Sequence, residues 1–163
     1  MKRRALISEC GQYRYRLSRR WNKSLPCCLF IMLNPSTADA ELDDPTIRRC
    51  IAFAKSWGYG KLYVGNLFAI RTSRPAKMKK AIDPVGPDNC HHLQRMARKV
   101  ARSGGVCVAA WGGHGIHENQ DQIVVQWLRN IDIQLHYIKL TIKKTPCHPL
   151  YLKGSLKPTL WNP

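Results

Sequence analysis

Acidic side chains are scarce in this chain: 10 Asp and Glu stand against 27 Lys and Arg, and none follows Asp132. The formal net charge is +17 and the isoelectric point is near 10.0. Such an imbalance on a folded domain is the electrostatic footprint of a polyanion partner, because each neutralised phosphate releases counterions. Long hydrophobic runs are also missing. The longest, Cys27 to Leu33, is far too short to span a bilayer, so no membrane partner is expected. Basic Met1-Lys2-Arg3-Arg4 has no apolar core behind it, which argues against secretion. The seven cysteines are odd in number and follow no regular spacing. That excludes a disulfide framework and favours a reducing, cytoplasmic setting. Cys27 and Cys28 are adjacent, which is not zinc-knuckle spacing, and Cys90-His91-His92 is a weak metal pattern, so no metal is expected. No repeat, low-complexity tract or linker divides the 163 residues, which suffice for one domain with its own core.

What is present alternates. Ala5 to Cys10 and Tyr13 to Leu17 flank Gly11-Gln12 with period-two patterning and predict an N-terminal β-hairpin. From Pro26 the pattern becomes strand and helix in turn. Strands are predicted at Cys28–Leu33, Leu62–Leu67, Val106–Ala110 and Ile133–Leu140. A first helix begins with Asp44 as N-cap and Pro45 at its first position, buries Ile47, Cys50, Ile51 and Ala54, and stops at Gly58. A second runs from about Asp88 to Ser103, with Leu93, Met96, Ala97, Val100 and Ala101 as its apolar face. A third carries Ile123, Val124, Trp127 and Leu128. Arg71 to Lys80 reads as a basic loop, and Thr145 to Pro163 as proline-rich and irregular. Together these predict a single three-layer α/β domain: a central, mainly parallel four-stranded sheet, helices on both faces, and the hairpin at the N-terminus.

Ligands of parallel sheets bind outside the carboxyl ends of the strands. Past those predicted ends come Asn34-Pro35-Ser36-Thr37, then Asn66, then Trp111-Gly112-Gly113-His114-Gly115, and finally Pro146-Cys147-His148-Pro149. Each has a structural explanation. Asn34 before proline can start a turn, the glycines can permit one, and His148 can pack at the surface. Their occurrence at equivalent positions predicts instead that two amides, an imidazole and a glycine-rich turn share one rim. Asp39, Glu41, Asp43 and Asp44 read as a solvated, capping cluster from which one carboxylate can assist a water.

The segments MLNPSTADAELDDPTIRRCIAFAKSWGYG, VGNLFAIR, DPVGPDN, AAWGGHG and HPLYL resemble the bacterial and phage family known as domain of unknown function 1643, over roughly Tyr13 to Leu152. The chain departs from that family's glycine and arginine before the final histidine, having Lys144-Thr145-Pro146-Cys147 there. The order Asn-Pro, Asn, Trp-Gly and His-Pro is also similar to the uracil-DNA glycosylase superfamily, small parallel α/β enzymes that need no metal. That resemblance implies hydrolysis of the N-glycosidic bond of a flipped damaged or modified base. Asn34 would position the water, Asn66 would read the base edge, and His148 would hydrogen-bond the departing base. It implies no cofactor, since the four-cysteine spacing of the iron–sulfur branches is absent.

On chemical grounds Phe68, Pro35 and Tyr151 join Asn66 as base-binding candidates, although Phe68 and Tyr151 suit the core as well, Phe68 above all. Ser36, Thr37, Gly112, Gly113, His114, Arg71 and Lys144 are the phosphate-binding candidates. The expected partner is nucleic acid, DNA in preference to RNA, bound by a monomer. Two alternatives stay open: a non-catalytic nucleic-acid-binding module on the same fold, and a hydrolase of free nucleosides or nucleotides.

Overall fold

The computed structural model describes residues 1–36 and 38–163. Its centre is Cys27–Met32 (β3), six consecutive buried residues. A strand buried on both sides must have neighbours that cover both faces. β3 pairs in parallel with Lys61–Asn66 (β4) on one side and Val106–Ala109 (β5) on the other, and β5 pairs in parallel with Leu135–Tyr137 (β6). This is the four-stranded parallel core expected from the alternating pattern.

The sheet itself is larger than predicted, with seven strands among the described residues. The hairpin, Lys2–Ile7 (β1) and Arg14–Arg20 (β2), does not stand apart but extends the sheet, because β2 pairs antiparallel with β4. At the opposite edge Thr159–Trp161 (β7) pairs antiparallel with β6, inside the segment expected to be irregular. β6 is also shorter than the predicted Ile133–Leu140. At the start of that span Ile133 N–H is taken by the Leu128 carbonyl at 3.0 Å, and at its end Leu140 makes only an isolated bridge to Pro146, so neither flank joins the sheet.

Alternate side chains of β3 feed two cores. Cys28, Phe30 and Met32 pack with Ile47, Cys50, Ile51, Phe53 and Ala54 of Pro45–Ser56 (α1). Cys27, Leu29 and Ile31 pack with Leu93, Met96, Ala97 and Val100 of Asn89–Arg102 (α3) and with Val124, Val125 and Leu128 of Gln120–Arg129 (α4). Helices therefore cover both faces, and each fully buried Leu, Ile or Phe contributes about 1.5–3 kcal/mol. α1 starts as anticipated, with the Asp44 carboxylate accepting from Ile47 N–H at 2.8 Å and proline in the first turn, and Gly58 (φ 85°) follows its end. A short helix, Pro75–Lys80 (α2), replaces the expected basic loop. Among the described residues no helix is long and apolar enough to cross a membrane.

The acidic stretch after β3 is tied down more tightly than a solvated cluster. Arg19 is fully buried in β2. Its Nε donates to Asp43 at 2.8 Å, and its other nitrogens reach the carbonyls of Arg4, Ser18, Asp39 and Leu42. Asp39 turns the chain by accepting from the N–H groups of Glu41 and Leu42, at 2.7 and 2.9 Å. This loop is thereby held against the sheet just beyond the carboxyl ends of the parallel strands.

Candidate functional site

β3 and β4 end side by side, with Met32 opposite Asn66 in the parallel register. The chains leaving them run together for several residues: Leu67 N–H donates to the Met32 carbonyl at 2.9 Å, Phe68 N–H to Leu33 at 3.0 Å, and Thr72 N–H to Pro35 at 3.0 Å. β5 ends next to them, since Ala110 N–H donates to the Ile31 carbonyl at 2.9 Å. The loop that follows β5 docks onto the C-terminal segment through Gly112 N–H and the Pro146 carbonyl at 2.9 Å. That segment is braced in turn on α1, where Arg49 donates to the Leu152 carbonyl and Trp57 Nε1 to Leu156 at 2.9 Å.

The result is an open cleft of about 380 Å³. Asn34, Asn66 and His148 all line it, as do Ser36, Gly112, Gly113 and His114. Pockets of 300–1,000 Å³ are typical of small-ligand sites (about this range).

The two amides are presented differently. Asn34 Nδ2 donates to the Thr72 carbonyl at 2.6 Å and to its neighbour Pro35 at 3.2 Å. Both donor protons are thus spent on the scaffold, and Oδ1, without a hydrogen bond among the described residues, is the available acceptor. Asn66 is only 2% exposed, and its Oδ1 has no partner among the described residues. Its backbone carbonyl is held by Asn89 Nδ2 at 2.9 Å, from the first turn of α3. An unpaired buried amide on a cleft wall is costly unless a ligand completes it.

His148 stands at the exposed mouth. Its Nδ1 accepts from Leu150 N–H at 3.3 Å, which places the proton of the neutral ring on Nε2. The protein atoms packed around the ring lower its pKa below the ordinary histidine value, and the Asp44 carboxylate opposes that shift. His148 is accordingly a neutral donor at neutral pH.

Several expected residues are not brought into the cleft. Phe68 is fully buried in the core on the α3 side, where an apolar side chain leaving β4 is best covered. Tyr151 is 93% exposed and belongs to the outer surface. Pro35 is buried and serves through its carbonyl. Arg71 points toward the hairpin turn, donating to the Gly11 carbonyl at 3.1 Å. Lys144 is exposed in a tight turn with φ 59°, beside Thr145 and Trp161 rather than the cleft. Thr37 lies outside the described residues.

Other lining residues were expected only as a group or not at all: Asp44 was one of four acids able to assist a water, and Trp111 was part of the loop after the third strand. Asp44 faces the cleft as well as capping α1, accepting from Ser36 Oγ at 2.7 Å. Its capping signature was visible, but a cap and a site carboxylate look alike in sequence. Trp111, 1% exposed and with Nε1 unpaired among the described residues, is the aromatic on the wall in place of Phe68. Thr72, Ser73 and Pro75 line the rim where α2 begins. From α2, Lys79 reaches across to His114 Nδ1 at 3.0 Å, bridging the mouth. Arg14 enters from β2.

Fold and cleft define an α/β protein with polar residues gathered beyond the carboxyl ends of a parallel sheet. The chain belongs to the family described as protein of unknown function DUF1643, which it matches over residues 14–150. Neither the curated proteins nor the solved structures contain a match to it.

Proposed function

We propose that this protein hydrolyses the N-glycosidic bond of a damaged or modified base flipped out of a nucleic-acid strand, DNA in preference to RNA. The observation that carries this reading is the joint presence of Asn34, Asn66 and His148 in one cleft of nucleoside scale. Breaking such a bond builds positive charge on the sugar and negative charge on the departing base. The base leaves with the bonding electron pair, water adds to the sugar carbon, and its proton is passed on.

His148 Nε2–H supplies a donor to the base oxygen where negative charge develops. Asn34 Oδ1, fixed in place by its two amide bonds, orients the water. Asp44 adds what a neutral amide lacks, a carboxylate to draw the proton and to face the cationic sugar. Asn66 offers an amide to the Watson–Crick edge, and Trp111 an indole beside the base. A net charge of +17, with Lys79 of α2 reaching the mouth at His114 and Lys77 and Lys80 exposed on the same short helix, favours a strand of phosphates as the carrier of that base.

Purified protein incubated with oligonucleotides bearing deaminated, oxidised and alkylated bases should generate abasic sites from at least one. Asn34→Ala should reduce that release by about a hundredfold or more, in line with the loss of a positioning group, while DNA affinity stays within about twofold. Binding without release from any substrate would identify a non-catalytic module. Release from free nucleosides without DNA affinity would identify a nucleoside hydrolase.

A further inference from the structure

Strand β2 carries two buried arginines that are treated in opposite ways. Arg19 has the Asp43 carboxylate and four backbone carbonyls around it. Arg14 is 3% exposed, and its side chain makes one hydrogen bond among the described residues, from Nη1 to the Ala38 carbonyl. Its Nε is buried without a partner, and no carboxylate lies within ion-pair distance of it among the described residues. Yet Arg14 is a wall of the cleft.

We propose that Arg14 is the anion-binding group of the cleft and that the ligand brings a phosphate to it. A buried guanidinium is tolerated when its donors are met, and five donors in a planar fork match two phosphate oxygens at once. The side chain stays cationic: burial pulls its pKa down to about 10, and Asp44 pulls it back up. The nearest carboxylates are already engaged. Asp44 accepts from Ile47 N–H and Ser36 Oγ, and Asp39 from Glu41 and Leu42 N–H. A register slip between Leu6 and Ile7, opposite Arg16 and Arg14, re-aims the side chains at the start of β2.

This inference rests on reading the cleft as a ligand site and adds the charge of its ligand. Wild-type protein is titrated calorimetrically with inorganic phosphate, with the common deoxynucleosides, with their monophosphates, and with short phosphodiester-linked oligonucleotides. The monophosphates and oligonucleotides should bind about tenfold or more tightly than the bare nucleosides, the scale of a charge-assisted hydrogen bond, and inorganic phosphate should compete with them. Arg14→Gln should erase that preference and Arg14→Lys should restore part of it, whereas bare nucleosides should bind both variants as they bind wild type. Should Arg14→Gln fail to fold, Arg14→Lys decides in its place: keeping the charge but losing the planar fork, it should reduce the phosphate preference and spare nucleoside binding, and an undiminished preference overturns the proposal. Equal affinity for nucleoside and monophosphate overturns the proposal, as does an equal loss of both in a folded Arg14→Gln. A preference for the oligonucleotide over the monophosphate assigns the anion to a strand, and parity assigns it to a free nucleotide; either upholds the role of Arg14. Phosphate preference without base release leaves this proposal standing and removes the glycosidic one.

Discussion

Asp44 does two jobs with one carboxylate, and substitution separates them. Oδ1 takes the Ile47 N–H that begins α1, and Oδ2 takes the Ser36 hydroxyl on the cleft side. Asparagine caps helices as well as aspartate does, so Asp44→Asn should leave stability within about 0.5 kcal/mol, while Asp44→Ala should cost about 1 kcal/mol. Denaturant unfolding of both variants checks the difference. If the carboxylate draws the proton of the attacking water, Asp44→Asn should nonetheless lose most of the turnover of wild type. A variant that keeps both stability and turnover would leave Asp44 as a cap alone.

Among single residues, Asn34 and Asn66 were legible because polar side chains stood at the ends of apolar strands, where packing gives them little to do, and His148 because it sits between prolines in the segment that follows the fourth strand. Arg14 was not. It approaches from an antiparallel strand that reads as a separate hairpin, and basic side chains on a hairpin normally face water. Phe68 allowed two readings, since an aromatic two residues from Asn66 suits base stacking and an apolar strand end suits the core, and burial decides for the core.

At the scale of elements, the loop after β5 shows how glycines divide their duties. Gly112 adopts φ 75° and ψ −172°, a conformation that side-chain-bearing residues avoid, and this turns the chain toward Pro146. At Gly115 an added Cβ would lie 2.2 Å from Trp111 Cδ1, against a rigid buried indole. Gly113 has open space around it. Gly115→Ala should therefore displace Trp111 and cost about 1–3 kcal/mol by overpacking, whereas Gly113→Ala should stay within about 0.5 kcal/mol. Thermal unfolding, together with tryptophan fluorescence, reads both effects.

The strongly apolar elements declared themselves in the sequence: β3, β4 and β5 by continuous burial, α1 by its cap and proline, α3 by its spacing. Two elements did not. α2 buries only Met78 and has no side-chain cap, so Pro75-Ala-Lys-Met-Lys-Lys looks like a charged loop until the fold places it. β7 is three residues long, and only its pairing with β6 makes it a strand. Trp161 of β7 packs edge-on against Trp111, with ring centres 5.6 Å apart, so this unannounced strand supports a cleft wall.

For the whole molecule, acidification has a predictable sign. His92, His136 and His148 all have pKa values lowered chiefly by burial. The unfolded chain, with histidines near an ordinary value of about 6.5, binds more protons than the native state between the native and unfolded values. Stability therefore rises with pH through that window and is lost as pH falls below about 6.5. Carboxylates such as Asp39, held low by the Leu42 and Glu41 N–H groups, titrate further down and do not obscure it. Melting temperatures should fall steadily between about pH 7 and 5. His136→Gln, which removes a ring whose Nδ1 is buried and unpaired among the described residues, should flatten that slope.

The cleft draws its walls from Arg14 of β2, the ends of β3 and β4, the first turn of α1, the rim at α2, the loop after β5 and the C-terminal segment around His148. No fragment of the chain holds more than part of it, so occupancy and global folding are linked. A compound that fits, present at a hundred times its Kd, would add about 2.7 kcal/mol to the unfolding free energy. In a protein of this size that corresponds to a rise of several degrees in Tm. A melting screen of nucleobases, nucleosides and nucleotides can thus find the physiological ligand before any reaction has been observed.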